Sequence, residues 1–561
     1  RSVDELPSLF ESIHEKDGHA ATALLEARPI AGDIAFADRA LKIARRELLP
    51  PKRDAIRDEK MRELRARREK LGGSAFAQEP DVKNGPGGLR DVHALLWIGL
   101  LRAGEGAWSG GTDLLTGLLV AGALYPGEVD AVRAGRRELL TIRAALHLVV
   151  GRADDRLHAA HAEKVAALLG TSPGHEGESA AEALCRRAIS AMGVVKRTVD
   201  DALARLHGRG ARAATRDGSA LGAAGFAAVD GELHVDVDAR FDLAAVIDAA
   251  RILAECCLVP SAVLTARRKA AIAAPDAVSP GRSPRGPAPI VDDAAAALFR
   301  LARSTSVRSS RDGPFTTLLE WGALARVLSE MERLRARVKL DGVHALSTDA
   351  HLAHCADLAL AMVSSAEPPP SPLAPSLART TRLHLVVLGA LFHDMGKGLP
   401  EDHSAVGARI VEREGARMGL ATDEIAIVRF LVAEHLVLSR TSQRRDLMDP
   451  AVIDEIAKTV RTPEQLDLLA LLTWVDMCAV APGVGTEWKA RLLGTAVERT
   501  RAVLLAPEGA RVVDDEVRAR ALAAVSSLPD EEAAVAFVAG ATVRFLAGRT
   551  DDELREDAAA F

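Results

Sequence analysis

Apolar residues recur at helical spacing along most of the chain, and this pattern predicts a mainly helical protein. One helix is predicted in residues 19–33, closing at Gly32. A second, in the highly charged residues 51–73, follows two prolines and stops at Gly72-Gly73. We expect this charged helix to be solvated all round and not to bind nucleic acid. From Leu383 the helical pattern continues almost to the end of the chain.

Three stretches interrupt this pattern. Residues 231–238 (GELHVDVD) alternate at period two and predict a short strand. Residues 273–290 and 366–376 are rich in Pro, Ser and Gly, so we expect them to be exposed and loosely ordered. The chain is therefore expected to be multidomain: a helical region at 1–210, a mixed region with a Pro-rich loop at 211–320, a helical domain at 321–500 and a helical extension at 501–561.

Charge and cysteine content narrow the possible partners and location. Seventy-two basic residues face 78 acidic ones, for a net charge of −6, so no broad basic surface for nucleic acid is expected. The five cysteines form no C-x-x-C pair, which argues against a disulfide framework or a thiolate zinc site. No apolar run is long enough to span a bilayer and the first residues carry no secretory pattern, so a cytoplasmic protein without membrane contact is expected.

The stretch LGALFHDMGKG places two ionisable side chains, His393 and Asp394, at the end of an apolar helix. Burying either group alone is costly, which favours a shared partner. Both can reach one ion if the helix ends there, and Gly396 and Gly398 provide such an ending. Lys397 adds a positive charge suited to a phosphate.

Other polar residues of the same kind lie within or beside predicted helices: His351, His403, His435 and Asp476. Imidazole and carboxylate ligands together suit Mn²⁺, Fe²⁺, Co²⁺ or Zn²⁺, and suit Mg²⁺ less well. Any one of the 16 histidines is more often an ordinary core or surface residue than a ligand. The order H…HD…H…H…D through one helical segment is far more specific.

This order resembles that of the HD-superfamily phosphohydrolases. The resemblance implies that His351, His393, Asp394 and Asp476 hold one metal, and that His403 and His435 allow a second. His344 and His354 compete for the place of His351, which is preferred because Thr348-Asp349-Ala350 precedes it, where the family below has a similar V-D-x-H step. His393, Asp394 and Lys397 are the expected catalytic residues. The metal expected from the resemblance is Mn²⁺ or Mg²⁺, with Fe²⁺, Co²⁺ or Zn²⁺ as alternatives.

A narrower resemblance rests on LFHDMGKG, DHSAVGA, EHLVLSRTSQRRDLMDPAVI, LTWVDMCAV and QEPDVKNGPGGLRDVHALLWI. Together these segments are similar to the bifunctional PII uridylyltransferase/uridylyl-removing enzymes of bacteria. That family attaches UMP to a Tyr of the PII signalling protein and hydrolyses it off with an HD domain. The resemblance implies that region 1–210 is the distal, helical part of a nucleotidyltransferase and that region 321–500 is an all-helical HD phosphohydrolase domain, with PII as substrate, UMP as product and a role in nitrogen metabolism.

The segment EPDVKNGPGGLRD is the second place where chemistry is expected. Pro86-Gly87-Gly88 predicts a tight turn whose backbone can approach a ligand, and the helix that follows would favour an anion at its start. Possible nucleotide-binding residues are Glu79, Lys83, Gly87, Gly88 and Arg90. Without the resemblance, a turn followed by a salt-bridged helix start is the better interpretation.

Two hallmarks of the family are missing from the sequence. No glycine-rich loop followed by D-x-D occurs, and no room remains for two glutamine-sensing ACT domains after the HD segment. We therefore expect hydrolysis of uridylyl-tyrosine on PII, and the missing D-x-D motif argues against transferase activity. The alternatives are an HD phosphohydrolase of free or cyclic nucleotides and a non-catalytic fragment.

Overall fold

The computed structural model describes residues 22–23, 25–103, 113–174, 177–207, 219–220, 225–236, 238–274, 292–309, 313–506, 508–528 and 530–561. These residues are mostly helical, as the apolar spacing predicted, with one small sheet. The Pro-rich segment 273–290 lies outside the described residues from residue 275 onward.

The helices before the sheet are α1 (Ile34–Ile43), α2 (Arg53–Lys70), α3 (Leu89–Ala103), α4 (Leu114–Val120), α5 (Pro126–Val150), α6 (Ala159–Leu168) and α7 (Ala180–His207). A π-helical turn (Ala44–Leu48) and a 3₁₀ turn (Pro50–Lys52) join α1 to α2. The sheet region contains β1 (Ser219–Ala220), β2 (Phe226–Val229), β3 (Glu232–Val235), α8 (Leu243–Cys256), β4 (Val259–Pro260) and α9 (Ala262–Ala273).

The remaining elements are all helical. They are α10 (Asp293–Ala302), α11 (Pro314–Trp321), α12 (Leu324–Val327), α13 (Glu330–Leu334), α14 (Thr348–Val363), a 3₁₀ turn (Ser371–Leu373), α15 (Ala374–Arg379), α16 (His384–Phe392), α17 (His403–Met418), α18 (Thr422–Glu434), α19 (Val437–Arg444), α20 (Pro450–Val460), α21 (Pro463–Val480), α22 (Glu487–Leu505), α23 (Glu508–Val525), α24 (Glu531–Gly540), α25 (Val543–Ala547) and α26 (Asp551–Ala560).

The chain divides into two compact units, Arg1–Leu436 with Leu468–Ala490, and Val437–Asp467 with Arg491–Phe561. In the first unit, helices α2 to α7 enclose a large apolar core. In the second, α23 to α26 pack around a smaller core that includes Ala521, Val538 and Leu554. The four regions expected from the sequence remain a prediction.

Helix α2 corrects the expectation of a fully solvated charged helix. One of its faces is buried, with Ile56, Lys60, Met61 and Leu64 turned inward. On the same helix, Arg67 and Arg68 reach the fully buried carboxylate of Asp91, both at 2.6 Å. The prediction of a fully solvated helix was wrong because Arg67 and Arg68, two of its many charged residues, are paired with Asp91, which lies 24 and 23 residues away in the chain.

The predicted strand is present but shorter, and it belongs to a four-stranded sheet of order β1-β2-β3-β4. It spans Glu232–Val235 and pairs antiparallel with Phe226–Val229. Asp230 and Gly231 join the two strands, both with positive φ (51° and 80°). An Asp-Gly step of this kind favours a two-residue hairpin turn. The sequence thus contained a signal for the hairpin besides the alternation from which the strand was predicted.

The second Pro-rich segment, 366–376, is more ordered than predicted. It contains the 3₁₀ turn and the start of α15, and Leu373 and Ser376 are buried. Each of these two elements has a proline in its first two positions. There the missing N–H is harmless and the fixed φ suits a helix, so these prolines begin helices and do not prevent them.

None of the described helices is long and apolar enough to cross a membrane.

Candidate metal centre

Helix α16 carries the His–Asp step into the interior. Every residue from Leu385 to Phe392 is buried, and the helix ends at His393, which caps it. The turn that follows passes close to the start of α17: a Cβ on Gly396 would lie 2.0 Å from the carbonyl oxygen of His403. Because Gly396 has no side chain, the turn that carries His393 and Asp394, called the HD turn below, can lie directly against the backbone of His403.

The other predicted ligands come from four further helices. His351 lies in the first turns of α14, His403 is the first residue of α17, His435 caps the end of α18, and Asp476 lies in the last turns of α21. His351 and His435 are each 2% exposed. All six residues predicted from the sequence therefore converge on one place in the first unit.

The first group of ligand atoms surrounds His351 and His393. Their Nε2 atoms are 3.3 Å apart. The Oδ1 atom of Asp476 lies 3.0 Å from His351 Nε2 and 3.5 Å from His393 Nε2. The Oδ2 atom of Asp394 is also 3.5 Å from His393 Nε2. His351, His393 and Asp394 together form one of two groups able to hold a metal ion.

The second group uses the other oxygen of Asp394. Its Oδ1 lies 3.7 Å from His403 Nε2 and 3.8 Å from His435 Nε2, and these three residues are the second possible metal group. Asp394 can therefore be shared between two ions. The two groups contain five of the six residues predicted from their order, and Asp476 belongs to neither group although it contacts His351 and His393. Ligation itself stays a prediction.

Backbone carbonyls fix the orientation of two imidazoles. The Nδ1–H of His393 donates to the Ala390 oxygen at 2.9 Å, and the Nδ1–H of His435 donates to the Val432 oxygen at 2.8 Å. A carbonyl can only accept, so each ring directs Nε2 into the cluster. Metal-binding histidines typically hold their second nitrogen this way. With Nδ1–H turned to a carbonyl, the neutral His393 ring directs its Nε2 lone pair at His351 Nε2, 3.3 Å away, and the Asp476 carboxylate lies beside both, so the residues present fit a cation.

The shifts in pKa also indicate a place for positive charge. Burial opposes the charged form of His393, but Asp394 and Asp476 overcome it and raise the pKa of His393 to about 10. Burial likewise opposes ionisation of Asp394, yet His393 and Lys397 hold its pKa well below the usual range. Burial, with the charge of His393, lowers the pKa of His435 to about 4. His435 is thus neutral at pH 7, the form that can bind a metal, whereas His393 would release its proton when a metal binds.

One face of the cluster is open. Lys397 is 34% exposed and its Nζ lies 2.5 Å from Asp394 Oδ2, while His403 and Asp476 are 26% and 18% exposed. These three side chains therefore line the accessible side, and the remaining ligands lie beneath them.

The sequence did not indicate Arg333, which supports the HD turn through hydrogen bonds to its backbone carbonyls. Its guanidinium donates to the carbonyl of Met395 at 2.6 Å and to that of Lys397. Asp349, noted only as a neighbour of His351, is buried and accepts from Ser347 Oγ at 2.6 Å and from the Ala336 amide at 2.9 Å. No pattern near Arg333 signals its role, because its acceptors lie 62 and 64 residues away.

The two histidines that competed with His351 lie outside both groups. His344 packs edge-on against His351 at 6.0 Å between ring centroids, and its Nδ1 pairs with Asp341 at 2.8 Å. Burial lowers the pKa of His354, which has no place in either group of possible ligands among the described residues.

The PGGLRD turn has a different arrangement. A Cβ on Gly87 would lie 2.0 Å from the Met192 carbonyl oxygen, so the close approach is to helix α7. The Gly87 amide donates to Asp91 at 2.7 Å. Lys83 pairs with Asp155 at 3.0 Å. Glu79 accepts from the Ala159 amide at 2.9 Å and contacts His158.

Gly88 closes the same turn by donating to the Gly85 carbonyl at 2.8 Å, and the Arg90 amide donates to that of Lys83 at 2.9 Å. These are the contacts of a turn with a salt-bridged helix start, the alternative that the sequence left open. Nucleotide binding by Glu79, Lys83, Gly87, Gly88 and Arg90 stays a prediction.

Comparison with known protein families gives two matches, one before and one after the small sheet. Residues 56–203 match the family model described as GlnD PII-uridylyltransferase, and residues 348–473 match the HD domain. The predicted family resemblance is confirmed. The HD match contains His351, His393, Asp394, His403 and His435, and ends three residues before Asp476.

Three relatives are each named "Bifunctional uridylyltransferase/uridylyl-removing enzyme". That of Erythrobacter litoralis is 31% identical over 496 residues, which cover 84% of this chain and 50% of the relative. That of Novosphingobium aromaticivorans is 30% identical over 527 residues, which cover 90% of this chain and 54% of the relative. That of Streptomyces coelicolor is 32% identical over 503 residues, which cover 86% of this chain and 53% of the relative. The chain spans about half the length of the curated relatives it matches.

Proposed function

We propose that this chain catalyses the metal-dependent removal of UMP from uridylyl-tyrosine on the PII signalling protein, in bacterial nitrogen regulation in the cytoplasm. The observation that carries the proposal is the convergence of His351, His393, Asp394 and Asp476 on one buried point, with imidazole nitrogens 3.3 Å apart. The names of the relatives supply the substrate class.

The residues have separate roles in this proposal. His351, His393, Asp394 and Asp476 would hold one metal ion, and His403 and His435, with Asp394, would hold a second. Mn²⁺ or Mg²⁺ is proposed, and four imidazoles favour Mn²⁺, with Fe²⁺, Co²⁺ and Zn²⁺ as alternatives. Such an ion supplies an activated water at neutral pH and neutralises charge on a phosphoryl oxygen.

The protein itself supplies orientation and charge. Backbone carbonyls fix the rings of His393 and His435, and Arg333 holds the turn that carries Asp394 and Lys397. Lys397 lies on the accessible side, where its ammonium can pair with the substrate phosphate. Water adds to phosphorus, the bond from phosphorus to the tyrosyl oxygen breaks, and UMP and the unmodified tyrosine result. Because the phenol leaving group has a pKa of about 10, it departs without a strong general acid.

The test is release of UMP from uridylylated PII by the purified chain, with Mn²⁺ and with a chelator. The His393→Ala/Asp394→Ala variant removes central ligands. The His384→Ala variant is the matched control, because His384 begins the same helix but pairs with Glu424 at 2.9 Å, outside the cluster. We expect metal-dependent release by the wild type and the control, and none by the double variant.

Other outcomes would change the proposal in defined ways. Hydrolysis of free or cyclic nucleotides without release from PII would favour the more general HD phosphohydrolase. No activity on any of these substrates would favour a non-catalytic fragment. Equal release by the double variant would exclude the cluster as the active site.

A further inference from the structure

A small charged recess lies in the first unit between helices α7, α9 and α11. Its charged lining consists of Lys196, Arg197, Asp200, Asp201, Arg268 and Glu320. About 40 Å³ is available there to the centres of water-sized atoms, whereas one water needs roughly 10–15 Å³. The space thus holds about three or four water-sized atoms, enough for a carboxylate or for the oxygens that a phosphate inserts from the open side.

Three basic and three acidic side chains line this recess, but their ion pairs are unevenly distributed. Asp200 is shared by Lys196 at 3.0 Å and Arg68 at 2.6 Å. Asp201 is shared by Arg268 and by Lys269, the latter at 2.9 Å. Glu320 pairs with Lys196, which is already bound to Asp200.

Two of these cations also have carboxylate partners farther away, but those partners are shared as well. Arg68 contacts Asp91, which also pairs with Arg67. Lys269 contacts Glu128, which also pairs with Arg205. One ion-pair network among the described residues therefore has equal numbers of basic and acidic side chains, namely Arg67, Arg68 and Lys196 with Asp91, Asp200 and Glu320. A second network has three basic side chains and two carboxylates, namely Arg205, Arg268 and Lys269 with Asp201 and Glu128.

Arg197 and Arg268 are the two guanidinium groups that line the recess itself. Arg197 donates to the Glu320 carbonyl at 3.0 Å and makes no ion pair with any carboxylate in the described part of the chain. Arg268 is 3% exposed and stacks over the Trp321 ring at 4.5 Å, and its Nε atom has no hydrogen-bond partner among the described residues. Burial lowers the pKa of both guanidinium groups despite the nearby carboxylates.

We propose that this recess binds a small oxyanion, with Arg197 and Arg268 as its principal contacts. A guanidinium presents several N–H donors in a plane and matches phosphate and carboxylate oxygens better than an ammonium does. The oxyanion is either free in solution or part of a larger metabolite. The site is separate from the cluster of candidate metal ligands around His393 and Asp394, called the HD cluster below. The proposal does not depend on the proposed hydrolysis.

The test uses inorganic phosphate as the probe, titrated by calorimetry into the full chain. The His393→Ala/Asp394→Ala background with a chelator removes phosphate binding at the HD cluster. In that background, Arg197→Gln and Arg268→Lys are compared with Arg303→Gln, whose guanidinium lies over Phe299, outside the recess. Arg197→Gln is the main variant because it breaks no ion pair; Arg268→Lys keeps a charge beside Asp201.

We expect saturable binding of one phosphate, weakened about tenfold or more in the two recess variants and unchanged in the control. Tighter binding of UMP than of phosphate, lost in the same variants, would identify the phosphate of a larger molecule as the ligand. Binding of acetate in place of phosphate would identify a carboxylate. No saturable binding of any of the three up to roughly 10 mM, or equal binding in every variant, would overturn the proposal.

Discussion

The HD turn and the PGGLRD turn look alike in sequence, but their charges are arranged in opposite ways. Each combines glycines, charged residues and a neighbouring apolar helix. At the HD turn, four imidazoles and two carboxylates point at one another, and two Nε2 atoms face each other at 3.3 Å. At the PGGLRD turn, Asp91 is enclosed by Arg67, Arg68 and the Gly87 amide.

The difference shows how a ligand site can be distinguished from a structural joint. Imidazole nitrogens and carboxylate oxygens that converge on one point would be stabilised by an ion between them, whereas a carboxylate enclosed by two guanidinium groups is already paired. The charged recess between α7, α9 and α11 lies between these cases, since its carboxylates are paired but Arg197 has no carboxylate partner among the described residues. The following predictions test this contrast, from the largest effect to the smallest.

Exchanging a single carboxylate in each turn should affect different properties. Asp394→Asn removes a shared ligand and should lower the rate of UMP release by about 100-fold or more, since even the partners of ligands contribute 10–100-fold. Asp91→Asn leaves two arginines without their buried partner and should cost about 3–5 kcal/mol of unfolding free energy. Hydrolysis assays and urea unfolding measure the two effects.

Asp58→Asn is the control for stability, because Asp58 pairs with Arg57 on an exposed face and its loss should cost less than about 1 kcal/mol. If Asp91→Asn were as mild as this control, the ion pairs seen at Asp91 would not stabilise the fold.

Metal removal should affect the stability of the HD cluster and leave the PGGLRD turn unaffected. At a metal concentration about one hundred times Kd, binding to the folded state adds about 2.7 kcal/mol. A chelator should therefore lower the Tm of the wild type and, by a similar amount, that of Asp91→Asn. The Tm of His393→Ala/Asp394→Ala should not respond. A response in that variant would place the stabilising metal elsewhere in the protein.

The two glycines that meet backbone atoms should separate activity from stability. Gly396→Ala would push the HD turn away from the His403 carbonyl, and a displacement of about 1 Å can cost 10²-fold in rate. Gly87→Ala would collide with the Met192 carbonyl and should cost about 1–3 kcal/mol of unfolding free energy. Gly127→Ala is the control, since a Cβ there meets nothing within 4 Å. A fully active Gly396→Ala protein would contradict the close approach.

The smallest effect concerns Asp155, which joins Lys83 to Arg143 at 3.0 Å and 2.6 Å. Burial opposes its ionisation, but hydrogen bonds from Arg143 and Lys83 hold its pKa below the usual value. The stabilisation is therefore present above the unfolded-state pKa and is lost as pH falls through the folded-state pKa.

Asp155→Asn should consequently cost about 1 kcal/mol or less near pH 7, and less still in acid. Urea unfolding of the variant and the wild type between pH 7 and about pH 4 measures this trend. Asp154→Asn serves as the neighbouring control, because Asp154 makes no ion pair in the described part of the chain. A cost for Asp155→Asn that grew as pH fell would reverse the sign and exclude the pairing as its cause.

Local patterns predicted the helical class, a short strand within residues 231–238, observed at Glu232–Val235, and the order of the His and Asp residues. Helices depend on apolar spacing and end signals within a few residues, so the sequence displays them directly. The six residues of the His–Asp cluster could also be found, because imidazoles and carboxylates in apolar helices are costly without a function. The prolines of segment 366–376 were misjudged because their effect depends on position within a helix.

The sequence by itself determined which residues could carry chemistry, and the tertiary structure decided which of them meet. Arg333 and the HD turn, Asp91 and Arg67, and Arg197 and Arg268 all lie far apart in the chain. Charge and hydrogen-bonding capacity belong to the residue type, but whether a charge is paired depends on distances of a few ångströms that packing alone sets. For this reason, two similar glycine turns became a cluster of converging ligands and a paired structural joint.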